Sequence, residues 1–201
     1  QGMLRPGNSE LLSENVQIGL YGELLFLRDV AAPRFPLEEA VRSWRGPYGD
    51  EQDFSLGNAL VEVKAQRDTA DRKLGISSLD QLDTVSGPVF ICHQTLGSSD
   101  DPSLGRSLRQ LVAEIVAATW ADGAVATDTF LAALHETGYA DRDEYMSPYR
   151  SLGTRTTYRV TDTFPRVVPG MVDSGVLTAQ YTVAISAVEP FAITEAEIWE
   201  H

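Results

Sequence analysis

The sequence predicts an α+β protein, with a mixed sheet flanked by helices, and three observations lead there. Apolar residues at helical spacing run from Val16 to Val30, a tight hairpin of alternating residues surrounds Gly57 and Asn58, and strand and helix patterns then interleave to the end. Hydrophobic residues make up 43% of the 201, enough to bury a sizeable core, yet no apolar run approaches the roughly 18 residues of a membrane span.

Each element has its own signal. Residues 1–15 read as an irregular lead-in. The first helix, VQIGLYGELLFLRDV, carries Gly19 and Gly22 on one side, and glycine costs about 1 kcal/mol in a helix interior, so the pair predicts close backbone packing. Pro33 and Pro36 end it, and a turn-rich connection through Trp44 reaches Asp50. Gly57-Asn58 is a two-residue hairpin turn, and counting outward sets Leu56 against Ala59, Ser55 against Leu60, Phe54 against Val61 and Asp53 against Glu62. Strand alternation places Asp53, Ser55, Leu60, Glu62 and Lys64 on one face, and Phe54, Leu56, Val61 and Val63 on the core face.

Beyond the hairpin the reading gives a third strand over Lys73 to Ile76, a short helix over Ser77 to Leu82 and a fourth strand over Pro88 to Leu96. A longer helix is expected from about Asp101 with Pro102 in its first turn, and another from about Thr127 to Thr137, stopped by Gly138. Tyr139 to Arg155 reads as a surface loop or flap, followed by strands near Thr157–Thr161 and Val176–Ala187. The division is a helix–strand–strand–strand–helix–strand core over 16–98 and a C-terminal α+β extension over 99–201.

Composition narrows the function. A net charge of −13 argues against a surface that attracts nucleic acid as a whole, although an enzyme needs only a local basic rim. The single cysteine, Cys92, excludes an internal disulfide, and His93, His135 and His201 lack zinc-ligand spacing; a cytoplasmic setting is expected. The chain opens with Gln1 rather than methionine, which leaves room for an upstream domain. Fourteen of the sixteen cations are arginine, which singles out Lys64 and Lys73.

Two carboxylates facing each other on a β-ladder repel. A hard divalent cation offsets that, since Mg²⁺ takes oxygen ligands and is commonly held by one or two carboxylates. Asp53 and Glu62 are the candidate pair, and Lys64 sets an ammonium beside them that can orient water or stabilise charge on a phosphate. The alternative is an ordinary solvated Glu62–Lys64 pair. Glu23, on the apolar side of the first helix, either reaches the metal or is a helix-surface charge that snorkels out or pairs with an arginine. Gln81 either touches the scissile phosphate or a base, or is solvated, with solvation favoured.

Glu23, then D-x8-E-V-K from Asp53 to Lys64, then a strand and Gln81 on the next helix resemble the PD-(D/E)XK nuclease superfamily, the restriction-endonuclease-like fold. More narrowly, GLYGELLFL, WRGP at Trp44 to Pro47, DFSLGNALVEVK, ISSLDQL and FPRV are similar to the bacterial PD-(D/E)XK motif protein family, whose genes tend to sit in restriction and phage-defence loci. The similarity extends over most of residues 16–192. It implies Asp53 as the metal-binding aspartate, Glu62 as the second acidic ligand, the Val63 carbonyl as a third ligand, Lys64 as the catalytic lysine and Glu23 as the first-helix glutamate. One departure is Gln52, which stands where the motif's name has proline.

The expected function is a Mg²⁺-dependent DNA endonuclease or nickase of a restriction or phage-defence system, with Mn²⁺ able to substitute and a 5′-phosphate left by in-line attack of water. The rivals are a non-catalytic adaptor or DNA-positioning subunit, and a DNA repair nuclease. Expected partners are DNA and other proteins of the defence system, with a homodimer also compatible. No G-x-x-x-x-G-K-[ST] loop is present, so any ATP-driven step falls to a separate ATPase or helicase. His93, beside Val89 and Ile91, reads as a half-buried structural histidine. Arg142, Arg150, Arg155, Arg159 and Arg166 interleave with Tyr145, Tyr149 and Tyr158, either as a phosphate-and-base strip or as a solvated loop.

Overall fold

Of the four hairpin pairs derived by counting, Phe54–Val61, Ser55–Leu60 and Leu56–Ala59 are observed, whereas the strand starts at Phe54 and Asp53 does not pair with Glu62 in the ladder; the rest of the fold is built around this hairpin. The computed structural model describes residues 10–200, so residues 1–9 of the expected lead-in and His201 lie outside the described residues. Helix α1 (Glu14–Phe26) starts at Ser13, whose hydroxyl accepts from the Val16 N–H, and continues as a π-helical turn over Leu27–Ala31. A short helix α2 (Leu37–Arg42) follows Pro36 within the stretch read as an irregular connection. Its six residues are too few for a periodic signal.

Strand β1 (Phe54–Leu56) pairs antiparallel with β2 (Ala59–Arg67), Phe54 opposite Val61 and Leu56 opposite Ala59. Strand β2 then pairs in parallel with β4 (Val89–Ser99), and β5 (Tyr149–Arg159) and the two-residue β7 (Ala192–Ile193) extend the sheet in the order β1-β2-β4-β5-β7. Since β1 and β4 occupy both edges of β2, the third strand, β3 (Lys73–Ile76), joins a separate two-stranded sheet with β6 (Tyr181–Ala184) instead of extending the core. A one-turn helix α5 (Ile185–Val188) follows β6.

Three further expectations are corrected. Ser77 to Leu82 is a pair of turns, not a helix, because side chains satisfy its backbone donors: the Ser77 N–H donates to Gln81 Oε1 and the Gln81 N–H to Ser78 Oγ. Pro102 lies in a 3₁₀ turn (Pro102–Leu104), and helix α3 (Leu108–Asp122) starts later, at a Ser107/Gln110 capping box. The expected flap contains a 3₁₀ turn with buried Tyr145 and then most of β5, bonded to β4 along its length. Helix α4 (Ala124–Glu136) ends before Gly138, whose φ of 80° is the left-handed conformation glycine favours.

Helices α1, α2, α3 and α4 cover one face of the main sheet. Leu24, Phe26, Leu27, Phe54, Val61, Phe90 and Cys92 are fully buried there, each large apolar side chain contributing about 1.5–3 kcal/mol. Gly22 explains how closely α1 lies on β2, for a Cβ at that position would sit 2.4 Å from the Ala65 Cβ; Gly19, by contrast, meets nothing within 4 Å. The glycine pair therefore marks close packing at one position only. On the opposite face a second core gathers Val89, Ile91 and Tyr158 under the small sheet, with Leu74, Ile76, Leu82 and Val183. That cover stops at Leu60 and Ile91, and the next residues along the strands on this face are Glu62, Lys64 and His93.

Candidate metal centre

The centre forms where β1 ends before β2 does. The last ladder pair is Phe54 with Val61, so one edge of β2 beyond Val61 has no strand partner. Asp53 takes that place with its side chain, its Oδ2 accepting the Val63 N–H at 2.7 Å. Along a strand a residue's N–H and C=O point to the same edge, so the Val63 carbonyl lies on this open edge as well. The chain before Asp53 is held by the Arg45 and Gly46 N–H groups, which both donate to the Asp53 carbonyl, at 2.7 and 3.0 Å.

Glu62 is 4% exposed. Its Oε1 is 2.7 Å from Lys64 Nζ and accepts from Gln81 Nε2 at 2.8 Å. Lys64 Nζ also donates to Gln81 Oε1 at 3.1 Å, which closes a three-member ring of Glu62, Lys64 and Gln81. Gln81 is thus buried and fully engaged, contrary to the solvated reading favoured from sequence, and it reaches the ring from a turn. Gln52 braces that turn by donating to the Gln81 carbonyl at 3.1 Å. Glu23 is half-buried behind the pair, its Oε2 accepting from Trp44 Nε1 at 2.6 Å, so the helix-surface reading of this residue is set aside. A cavity of about 300 Å³ opens beside Glu23 and Asp53, bounded by Gly19 and Gly46.

The electrostatics are those of crowded acids. Burial, then Asp53, push the Glu62 carboxyl up to about 8 against the opposing pull of Lys64. Burial raises Asp53 to about 6 even though the Val63 N–H and Lys64 favour its anion. Burial and then Asp53 hold Glu23 well above the usual carboxylate range, with the Trp44 hydrogen bond working the other way. One ammonium does not neutralise buried Glu62 and half-buried Asp53 and Glu23 together, so the metal-free site takes up protons. Among the described residues no group of three or more His, Cys, Asp or Glu side chains could hold a metal ion, so Glu23 does not join Asp53 and Glu62 in a three-acid cluster. Each acid instead has one oxygen committed to a protein donor by the bonds above, which leaves the other oxygens of Asp53 and Glu62 and the Val63 carbonyl for a hard cation. That donor set fits Mg²⁺ or Mn²⁺, which keep positions open for water and phosphate.

Sequence reasoning missed two supports, Trp44 and Gly46. A Cβ on Gly46 would lie 2.6 Å from Asp53 Oδ1 and 3.3 Å from Glu23 Oε2, so glycine there lets the backbone pass against both acids. The WRGP run contained the signal, but nothing in its spacing tied it to Glu23. The arginine–tyrosine strip does not exist as a surface: Tyr145 and Tyr158 are buried, Arg150 is buried, and Arg155 turns inward to Asp29 and Gln94.

A five-stranded mixed sheet flanked by helices, with two acids and a lysine at the open end of its hairpin, defines a protein of restriction-endonuclease-like, α+β class. A family model described as "Putative PD-(D/E)XK family member, (DUF4420)" matches residues 1–186, and the chain belongs to that family. No curated protein and no solved structure matches it. Among the described residues no helix is long and apolar enough to cross a membrane.

Proposed function

We propose that this chain is a divalent-metal-dependent DNA endonuclease or nickase serving a bacterial restriction or phage-defence system. The observation that carries the reading is half-buried Asp53 and buried Glu62 beside Lys64 at the unpaired edge of β2, in a chain of the PD-(D/E)XK family. Asp53, Glu62 and the Val63 carbonyl would hold Mg²⁺ or Mn²⁺, with Glu23 behind them. The ion supplies Lewis acidity toward the phosphoryl oxygen and lowers the pKa of a coordinated water.

The chain's own residues do the rest. Lys64 Nζ, fixed by Glu62 and Gln81, presents an ammonium to the water or to the charge that grows on the phosphate as the bond breaks. Gln81 holds both neighbours in register as a positioning residue, and Trp44 orients Glu23. The products are a 5′-phosphate and a 3′-hydroxyl. DNA, other defence proteins and a separate ATPase or helicase are the proposed partners, and the cytoplasm the proposed setting.

Incubation of the purified chain with plasmid and phage DNA in Mg²⁺ or Mn²⁺, next to Lys64→Ala and Asp53→Ala, tests the proposal. Cleavage by the wild type alone supports it; identical products from all three proteins refute it. The net charge of −13 favours a second reading, a non-catalytic adaptor docked on a basic partner. Phage protection that survives Lys64→Ala in cells would favour the adaptor.

A further inference from the structure

The polar face of the sheet does not end at Lys64. The register sets Lys64 beside His93 and Gln66 beside Thr95 across the parallel pair, and His93 beside Thr156 across the next. These residues share the face that carries Glu62, and Gln66, His93, Thr95 and Thr156, though not Lys64, line a cavity of about 550 Å³ with Arg72 at its rim. The volume falls in the range of about 300–1,000 Å³ typical of sites for small organic groups. It begins one side-chain step, two residues or about 6.6 Å, beyond the lysine along β2.

His93 supplies the observation that asks for a ligand. It is 7% exposed, yet among the described residues its Nε2 has no hydrogen-bond partner. A buried polar atom left unpaired costs about 1–3 kcal/mol, so such atoms in folded proteins usually meet water or a ligand. Burial, and then Arg72, hold its pKa below the usual value, so the ring is neutral at pH 7.

The lining selects the ligand's chemistry. Gln66, Thr95 and Thr156 make the lining polar and neutral, although Gln66 Nε2 already donates to the Asp71 carbonyl and Thr95 Oγ1 is hydrogen-bonded to Thr154, and Asp68 adds an acid. Arg72 is 77% exposed at its side chain and already paired with Glu189. A phosphate would meet too little positive charge inside, whereas the mixed donors and acceptors match the edge of a nucleobase. A paired base keeps that edge within the duplex, so only a single-stranded or displaced base can enter.

We propose that this groove seats one unpaired nucleobase of the strand being cut, next to the scissile phosphate, which makes nucleic acid with a single-stranded or extrahelical base the substrate class. The proposal rests on the nuclease reading above, and binding without metal separates the two.

With the full chain in EDTA, fluorescence anisotropy would compare a single strand, a matched duplex and the same duplex with one unpaired nucleotide. The wild type should bind the first and third at least about tenfold tighter than the matched duplex, the scale of one seated base. Gln66→Leu and His93→Phe, which fill or depolarise the groove, should each reduce that preference to less than about threefold and leave matched-duplex binding unchanged. If His93→Phe fails to fold by circular dichroism, Gln66→Leu decides alone. Equal wild-type binding to all three nucleic acids, or a preference that Gln66→Leu leaves intact, overturns the proposal and shows a groove that holds only water. Cleavage of the same substrates after adding Mg²⁺ or Mn²⁺ reports on the nuclease reading independently. A base preference without any cleavage would sink that reading and leave the groove assigned.

Discussion

Replacing Glu62 by glutamine should make the metal-free protein more stable at alkaline pH, because it removes a charge that the fold tolerates only when protonated or when a cation is bound. The Glu62 carboxyl stands at about 8 in the folded protein against an ordinary value of 4.5. Between those limits the folded chain keeps a proton that the unfolded chain has released, so stability is highest below the unfolded pKa and falls as pH rises through the folded one. Each factor of ten in proton affinity is about 1.4 kcal/mol, so the loss attributable to Glu62 is on the order of 5 kcal/mol. Asp53, raised to about 6, loses its share earlier, below neutral pH. Glutamine keeps an acceptor for Gln81 Nε2 but leaves Lys64 without its ion partner, which reduces the net gain to about 1–3 kcal/mol above pH 8 and to nearly nothing near pH 5. Urea denaturation in EDTA at several pH values measures this as the difference between wild type and Glu62→Gln. Parallel stability curves for the two proteins, or wild-type stability that climbs relative to the variant as pH rises, would refute the reasoning. Saturating Mg²⁺ or Mn²⁺ should restore the wild type alone, by about 2.7 kcal/mol at a hundredfold excess over Kd.

Four other outcomes follow from the same geometry. Lys64→Ala should lower cleavage by about 10²–10³-fold in single-turnover assays while the protein stays folded by circular dichroism. Gly46→Ala drives a methyl into Asp53 Oδ1, so calorimetry should show weakened Mn²⁺ binding, and unchanged affinity would count against the close approach. Gly22→Ala crowds Ala65 from α1 and should destabilise the chain by about 1–3 kcal/mol in chemical denaturation, with no change in cleavage chemistry per folded molecule. Trp44→Phe removes the hydrogen bond that favours the Glu23 anion, so the Glu23 carboxyl rises further, and metal affinity should fall most at low pH, where protons compete best.

What could be read from the sequence was whatever a short, local rule decides. Gly57-Asn58 fixed the turn, the turn fixed the register, and alternation then set Glu62 and Lys64 on one face and Phe54, Val61 and Val63 on the other. Strand β3 was delimited correctly and assigned to the wrong sheet, because pairing with β6 spans more than a hundred residues and leaves no local mark. Ser77 to Leu82 looked helical because Ser77 resembles a cap, whereas the actual competitors, the Gln81 and Ser78 side chains, are visible only once Gln81 has been drawn toward Glu62. The same non-local pull explains Trp44 and Arg155, whose partners Glu23 and Asp29 lie far away in sequence. His93 read as a half-buried structural histidine, and it is buried; the vacancy at its Nε2 is a property of the surrounding cavity that no residue pattern encodes.

The two-residue turn between β1 and β2 sets a limit on how this chain can vary. A single residue inserted at Gly57-Asn58 would slip β1 by one place against β2, turning the Asp53 carboxylate toward the Phe26 side of the sheet and Phe54 away from it, while a pair of inserted residues would restore both directions but carry Asp53 past Val63. Loop length, usually the most permissive dimension of a protein, is here as tightly constrained as the identity of the acids, and homologous chains that keep the chemistry should keep the count.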